Sequence, residues 1–215
     1  MAKKKPPVAD EEPIETESTE TEGLTASAAL NPPKRIAITI QGLPPGLLMS
    51  SKGGMVPEEQ RGKQTKINTP EDQAHNAAYW RPDKTLGLPW ISLYKCIVAA
   101  SKRYKFKGRE AMNKIVAATI ACAEDLIPLG TAEYKIDSRW GRIPPKTGGV
   151  VMLHRALLPE WEASFEMLVD DEFYPADKLK EVLVTAGKLV GVCANSPRLE
   201  GPYGKFLVTG FEVLD

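Results

Sequence analysis

The sequence has few of the residues from which catalytic and metal-binding centres are usually built. It contains three cysteines, Cys96, Cys122 and Cys193, far apart in apolar segments, so neither a disulfide framework nor a CxxC metal site is predicted. It contains two histidines, His75 and His154, without a cysteine or carboxylate at ligand spacing. We therefore predict no catalytic residue, no metal site and no cofactor, and expect that the protein is not an enzyme.

Long apolar runs are also missing. No stretch of the sequence is long and apolar enough to cross a bilayer. The lysines at positions 3–5 are followed by prolines and acids, instead of the apolar run of a secretory signal. Together with the lack of a predicted disulfide framework, these absences favour a cytoplasmic protein that does not bind membranes.

The net charge of zero conceals an asymmetry between the N-terminal segment and the rest of the chain. Residues 1–33 carry three lysines and seven acids and contain no aromatic residue, a composition typical of disorder. Residues 34–215 carry 25 basic and 21 acidic residues. We predict a disordered acidic tail, 1–33, and one folded domain, 34–215. The small basic excess of that domain permits polyanion binding, or serves only solubility.

Strand and helix patterns follow one another along residues 34–215 and predict an α+β fold. Strands are expected from residue 34, over 161–169 and over 206–214, the last with Gly210 suited to a β-bulge. Helices are expected over 70–79, 92–103, 112–123 and 175–190. Two loops are expected between them, a long basic one over 47–67 and a second over 137–149.

Cations gather in several segments, two of which also contain aromatic rings. Lysine and arginine supply charge for phosphates, and rings supply surfaces on which bases stack. The predicted nucleic-acid site comprises Lys52, Arg61, Lys63 and Lys66; Lys102, Arg103, Tyr104, Lys105, Lys107 and Arg109; Arg139, Trp140 and Arg142; and Arg155.

Each of these clusters also has an alternative interpretation. Residues 102–109 would otherwise be a solvated helix end with buried rings, because cations near a helix C-terminus are favourable in any case. Residues 139–142 would otherwise hold a packed tryptophan with incidental charges. His154 precedes Arg155 in a predicted strand, where a surface or hydrogen-bonded histidine is expected.

The order of several segments resembles a group of small phage and prophage proteins. The similar segments are “GLPW”, “VVMLHRALLPEWEASFEMLVDDE”, “LKEVLVTAGKLVG” and “GPYGKFLVTGFEV”. That group in turn resembles the RAMP superfamily, the ferredoxin-like (RRM-like) RNA-binding backbone subunits of CRISPR effector complexes. The resemblance covers roughly residues 34–215. A phage-encoded chain would act in the cytoplasm of its bacterial host.

This resemblance implies an antiparallel sheet with helices packed on one face and a basic groove that follows a single strand. It also implies head-to-tail assembly of a homo-oligomer along nucleic acid. RAMP-like proteins carry a glycine-rich loop between the last helix and the last strand, and the corresponding residues here are Gly201, Gly204 and Lys205. These three residues are therefore added to the predicted site.

The expected function is to coat or hold single-stranded RNA or DNA without catalysis. One alternative is a phage structural or assembly protein whose basic clusters contact other protein subunits. Binding that weakens steeply with salt would favour nucleic acid over this alternative. A second alternative is a nuclease, which would need a metal site; strand cleavage with and without EDTA would test it.

Overall fold

Antiparallel strands make up the framework of the protein, and helices cover one side of the larger sheet. A computed structural model describes residues 32–49, 69–105, 112–143, 148–172 and 174–214, all within one compact unit, Asn31–Asp215. The strands are β1 (Lys34–Gly42), β2 (Leu47–Leu48), β3 (Gly87–Pro89), β4 (Ile120–Cys122), β5 (Leu126–Pro128), β6 (Lys135–Ile143), β7 (Gly149–Leu158), β8 (Glu162–Val169) and β9 (Phe206–Leu214). The helices are α1 (Pro70–Ala77), α2 (Trp90–Ser101), α3 (Met112–Thr119) and α4 (Ala176–Thr185). The predicted α+β class is confirmed.

The larger sheet has four strands in the order β4-β8-β1-β9, and every neighbouring pair in it is antiparallel. Alternation of side chains divides β1 as the sequence predicts: Ile36, Ile38 and Ile40 are buried on one face. The buried residues of α2, α3 and α4 belong to the same core as this face. The helices therefore pack on one side of the sheet.

The smaller sheet is built on a long hairpin. β6 and β7 pair antiparallel over nine registered positions, from Lys135 opposite Leu157 to Ile143 opposite Gly149. β2 adds to the other side of β7, which gives the order β2-β7-β6. α1 packs against both hairpin strands. A third pairing joins β3 to β5.

Two local predictions of the sequence are confirmed by atomic detail. α1 begins with a capping box, in which the Thr69 hydroxyl accepts from the Asp72 amide and the Asp72 carboxylate accepts from the Thr69 amide. The register of β9 against β1 shifts between Thr39 and Ile40, opposite Gly210, which is the predicted bulge.

Two other predictions are wrong. The third helix ends at Thr119 instead of Ala123, because Ile120 leaves the helical stripe to pair with Val169 as part of β4. The predicted loop over 137–149 is mostly the strand β6 and the start of β7. Its glycines and prolines favour a turn locally, but pairing along the whole of β7 decides its conformation.

The last helix ends in an unusual turn. After Thr185 the chain continues as a π-helical turn over Ala186–Val190, and the Gly191 amide donates to the Ala186 carbonyl at 2.9 Å. Gly191 has a φ of +69°, which ends the helix at the predicted residue. The chain then enters the loop that leads to β9.

Candidate nucleic-acid interface

The β6–β7 hairpin presents two different faces, because successive side chains of a strand point to opposite sides. The face named here the tryptophan face carries, toward its tip, Ser138, Trp140, Met152 and His154. The face named here the arginine face carries Asp137, Arg139, Leu153 and Arg155. Arg139 and Trp140 were predicted to lie together in a loop, whereas the structure separates them onto opposite faces of one strand.

The tryptophan face exposes several apolar side chains to solvent. Trp140 is 70% exposed, and Val150 is 56% exposed. Met152, directly opposite Trp140, is also exposed. Beside them the Ser138 hydroxyl and His154 Nδ1 lie 2.7 Å apart, so the expectation of a hydrogen-bonded His154 is confirmed. The face combines one large ring with a polar pair.

Arg139 is held on the arginine face by two partners. Its Nε donates to both carboxylate oxygens of Asp137, at 2.9 and 2.7 Å. Its guanidinium also donates to the hydroxyl of Tyr203 and lies 4.8 Å from the centre of that ring. The hydrogen bonds and charge of Asp137 raise the pKa of Arg139, with a smaller contribution from Tyr203. This guanidinium is oriented before any ligand arrives.

Arg155 lies on the same face, on β7, and its guanidinium is not fully hydrogen-bonded within the described residues. Its Nε atom is buried and has no hydrogen-bond partner in the described part of the chain. Burial lowers its pKa below the ordinary arginine value, which the charge of Asp137 opposes and that of Arg139 reinforces. Arg155 is therefore a partly desolvated cation without a complete set of partners.

The loop between Gly191 and Lys205 meets the hairpin through Tyr203, and its backbone is strained. Three of its non-glycine residues, Cys193, Asn195 and Glu200, have positive φ. Such residues are uncommon and cluster at functional sites. Neither Tyr203 nor Asp137 was predicted from the sequence as a site residue. The available signals were a tyrosine within the segment 201–204 and an acid two residues before Arg139.

The two glycines that the resemblance adds to the predicted site, Gly201 and Gly204, lie close to the backbone of their own loop. A Cβ atom at Gly204 would lie 1.9 Å from the Val192 carbonyl oxygen, and one at Gly201 would lie 2.0 Å from that of Asn195. Both glycines are therefore required for close packing of backbone on backbone. Lys205 is half-buried, and its carbonyl accepts from the Leu43 amide at 2.9 Å.

The predicted cluster of cations at 102–105 lies at the C-terminal end of α2. Lys102, Arg103 and Lys105 are exposed, but the Tyr104 ring packs against the core. The Tyr104 hydroxyl lies 2.6 Å from that of Thr185 and donates to the Glu181 carbonyl at 3.2 Å. The first turn of α2 contacts the loop that leads to Tyr203 and the hairpin, because the Ser92 hydroxyl accepts from the Cys193 amide at 2.9 Å. Lys102 lies ten positions after Ser92, about 15 Å along the helix axis.

The outer face of the four-stranded sheet is not basic. Its outward-facing positions on β1, β8 and β9 carry one arginine, Arg35, and three glutamates, Glu162, Glu166 and Glu212. Arg35 is paired with Glu166. A phosphate backbone would be repelled by this face.

Several predicted site residues lie outside the described residues: Lys52, Arg61, Lys63, Lys66, Lys107 and Arg109. Arg142 stands opposite Val150 in the hairpin register, but its side chain is also outside the description. The described chain on either side of residues 50–68 adjoins the hairpin. The Met49 amide donates to the Ala156 carbonyl at 2.9 Å, and α1 packs against β6 and β7.

The sequence matches no protein-family model and no curated protein. The RAMP-like relationship therefore stays a prediction. Within the described residues, no helix is both long and apolar enough to cross a membrane.

Proposed function

We propose that this protein binds single-stranded nucleic acid, RNA or DNA, and that the β6–β7 hairpin makes the principal contact. The protein holds or coats the strand and does not cleave it. The observation that carries this proposal is Trp140, a tryptophan 70% exposed on a paired strand. A ring held by a regular hairpin is a ready surface for a base.

The Trp140 ring contributes little to the stability of the fold and can contribute more to binding. Most of the Trp140 ring remains in water, so the folded chain gains little from its burial. Stacking one base on such a ring contributes about 1–3 kcal/mol and tolerates any base, since every base has a π-face. The cations Arg139 and Arg155 on the same hairpin would supply phosphate contacts. Ring and charge together favour binding with little sequence preference.

The strand order supports a ferredoxin-like arrangement of the larger sheet. Numbered by appearance, β1, β4, β8 and β9 are the first to fourth strands, and their order across the sheet is then 2-3-1-4. Helices follow the first and third of these strands, as in a βαββαβ unit. RRM domains stack bases on this sheet, but the glutamates on its outer face here argue against that mode. We therefore assign binding to the hairpin.

A second function, assembly with other protein subunits, is favoured by a separate observation. On the tryptophan face the hairpin also exposes Ile136, Val150 and Met152. Exposed apolar patches of this kind often mark protein interfaces. A second copy covering the patch would give the head-to-tail oligomer, and a different subunit would give the phage assembly protein.

Fluorescence anisotropy with labelled single-stranded DNA, single-stranded RNA and duplex DNA tests the first function. We expect the single strands to bind more tightly than the duplex, with affinity falling linearly in log salt. Trp140→Ala should weaken binding, and Trp140→Phe, the matched control that keeps a ring, should retain most of it. Loss of binding with Trp140→Ala but not with Leu207→Ala would show that the position matters, because Leu207 is an exposed apolar residue of β9.

The assembly function makes the opposite prediction. Analytical ultracentrifugation of the parent would then show self-association that Val150→Ser and Met152→Ser abolish, with no strand bound at any salt below about 50 mM. That combination of results would refute nucleic-acid binding.

A further inference from the structure

The positive charge of Arg155 is poorly compensated by its surroundings. Asp137 stands opposite Arg155 in the hairpin register, yet both of its oxygens accept from Arg139. Arg139 in turn is fixed by Tyr203 on the neighbouring loop. The Asp137 carboxylate is therefore engaged by Arg139. Together with Arg155, these two side chains carry one excess positive charge.

Because the Arg155 guanidinium is partly desolvated, it attracts an anion more strongly than the ammonium group of an exposed lysine does. The Arg155 Nε is buried without a partner among the described residues, so part of this guanidinium is removed from water without a compensating hydrogen bond. Burial also lowers the dielectric constant around the guanidinium, so an anion placed beside it is attracted more strongly. Arginine is suited to phosphate in particular, since its planar fork donates two parallel hydrogen bonds.

We propose that Arg155, with Arg139 beside it, binds a phosphate group of the nucleic-acid backbone on the arginine face. This inference rests on the proposed function and assigns separate roles to the two hairpin faces, base stacking to one and phosphate binding to the other. Trp140 and Asp137, the register partner of Arg155, are three residues apart on β6, about 10 Å along the strand. β6 is the outer strand of its sheet, so one oligonucleotide can cross its edge and reach both faces.

The test uses two probes on the full chain, inorganic pyrophosphate by calorimetry and a labelled single strand by anisotropy. Arg155→Gln should weaken the binding of both probes by about tenfold or more. Arg155→Lys, which keeps the charge and loses the fork, should be intermediate. Asp137→Asn should bind both probes more tightly than the parent, because it removes the competing carboxylate. The matched control, Arg198→Gln, removes an exposed arginine of the adjoining loop and should bind as the parent does.

The outcomes separate this site from the wider function. The melting temperature of each variant without ligand identifies any that does not fold, and the opposite signs expected for Arg155→Lys and Asp137→Asn keep the test decisive if Arg155→Gln fails. Pyrophosphate that does not bind the parent, or that binds Arg155→Gln equally well, overturns the phosphate site even where the oligonucleotide still binds. If pyrophosphate binding depends on Arg155 while no single strand binds, the anion site stands and the nucleic-acid function is wrong.

Discussion

Tyr104 and Trp140 both lie among cations in the sequence, and the fold places their rings in opposite environments. Tyr104 packs against the core, and its hydroxyl meets α4 at Thr185 and Glu181. Trp140 projects from the hairpin and remains 70% exposed. Two segments that both combine cations with an aromatic ring therefore differ in structure. The ring of one packs against the core, and the ring of the other remains accessible to solvent. The exposure of each ring depends on whether another element of the fold packs over it.

The largest effect should come from removing the packed ring. Tyr104→Ala should lower the free energy of unfolding by about 2–4 kcal/mol, because it leaves a cavity between α2 and α4. Chemical denaturation measures this change, and Trp140→Ala is the control, with an expected change within about 0.5 kcal/mol. Equal losses at the two positions would contradict the difference between the two rings.

The reverse contrast is expected for binding. Trp140→Ala should reduce the affinity for a single strand by about 1–3 kcal/mol, the contribution of one stacked base, with little change in the salt slope. Tyr104→Phe, which preserves the packed ring, should bind like the parent in the same anisotropy assay. Weaker binding by Tyr104→Phe alone would show that the Tyr104 hydroxyl, at the end of α2, contributes to the interface.

A smaller effect should follow from removing one hydroxyl. Tyr104→Phe deletes the contacts with Thr185 and the Glu181 carbonyl, so unfolding should become easier by about 0.5–1.5 kcal/mol. Urea denaturation with unchanged m-value would report this loss. No measurable change would mean that packing alone holds Tyr104 against α4.

The smallest effect is expected from the exposed lysines near Tyr104. Lys102→Gln combined with Lys105→Gln should leave stability unchanged and weaken strand binding only slightly, through long-range attraction. A salt titration of affinity tests this, since each lost phosphate contact lowers the slope by about one. A slope reduced by about two would show that this end of α2 also contacts phosphates.

Sequence patterns predicted the elements that are determined locally. Alternating isoleucines identified β1, and the threonine, proline and acids at 69–72 identified the start of α1. The elements that were missed are determined by distant partners. Ile120 joins β4 because Val169 is available to pair with it, and β6 is a strand because β7 lies beside it.

The candidate site was predicted only in part, for the same reason. Composition singled out Arg139, Trp140 and Arg155, but no local pattern indicates which face of a hairpin each occupies. Asp137 was missed because residues two apart share a face only in a strand, and 137–149 was predicted to be a loop. Tyr203 was missed because it is sixty-four residues from Arg139. Whether a ring is covered or free depends on contacts between segments that are far apart in the chain.

The position of β1 has a consequence for the order of events during synthesis. β1 lies between β8 and β9, paired with both, although more than 110 residues separate it from either strand. Long-range pairings of this kind form slowly, because a large loop must close before the first contacts are made. As the chain leaves the ribosome, β1 has neither partner until Glu162–Val169 has emerged, and its second edge stays unpaired until Phe206–Leu214 has emerged. Throughout that interval its alternating isoleucines are accessible to chaperones and to other nascent chains.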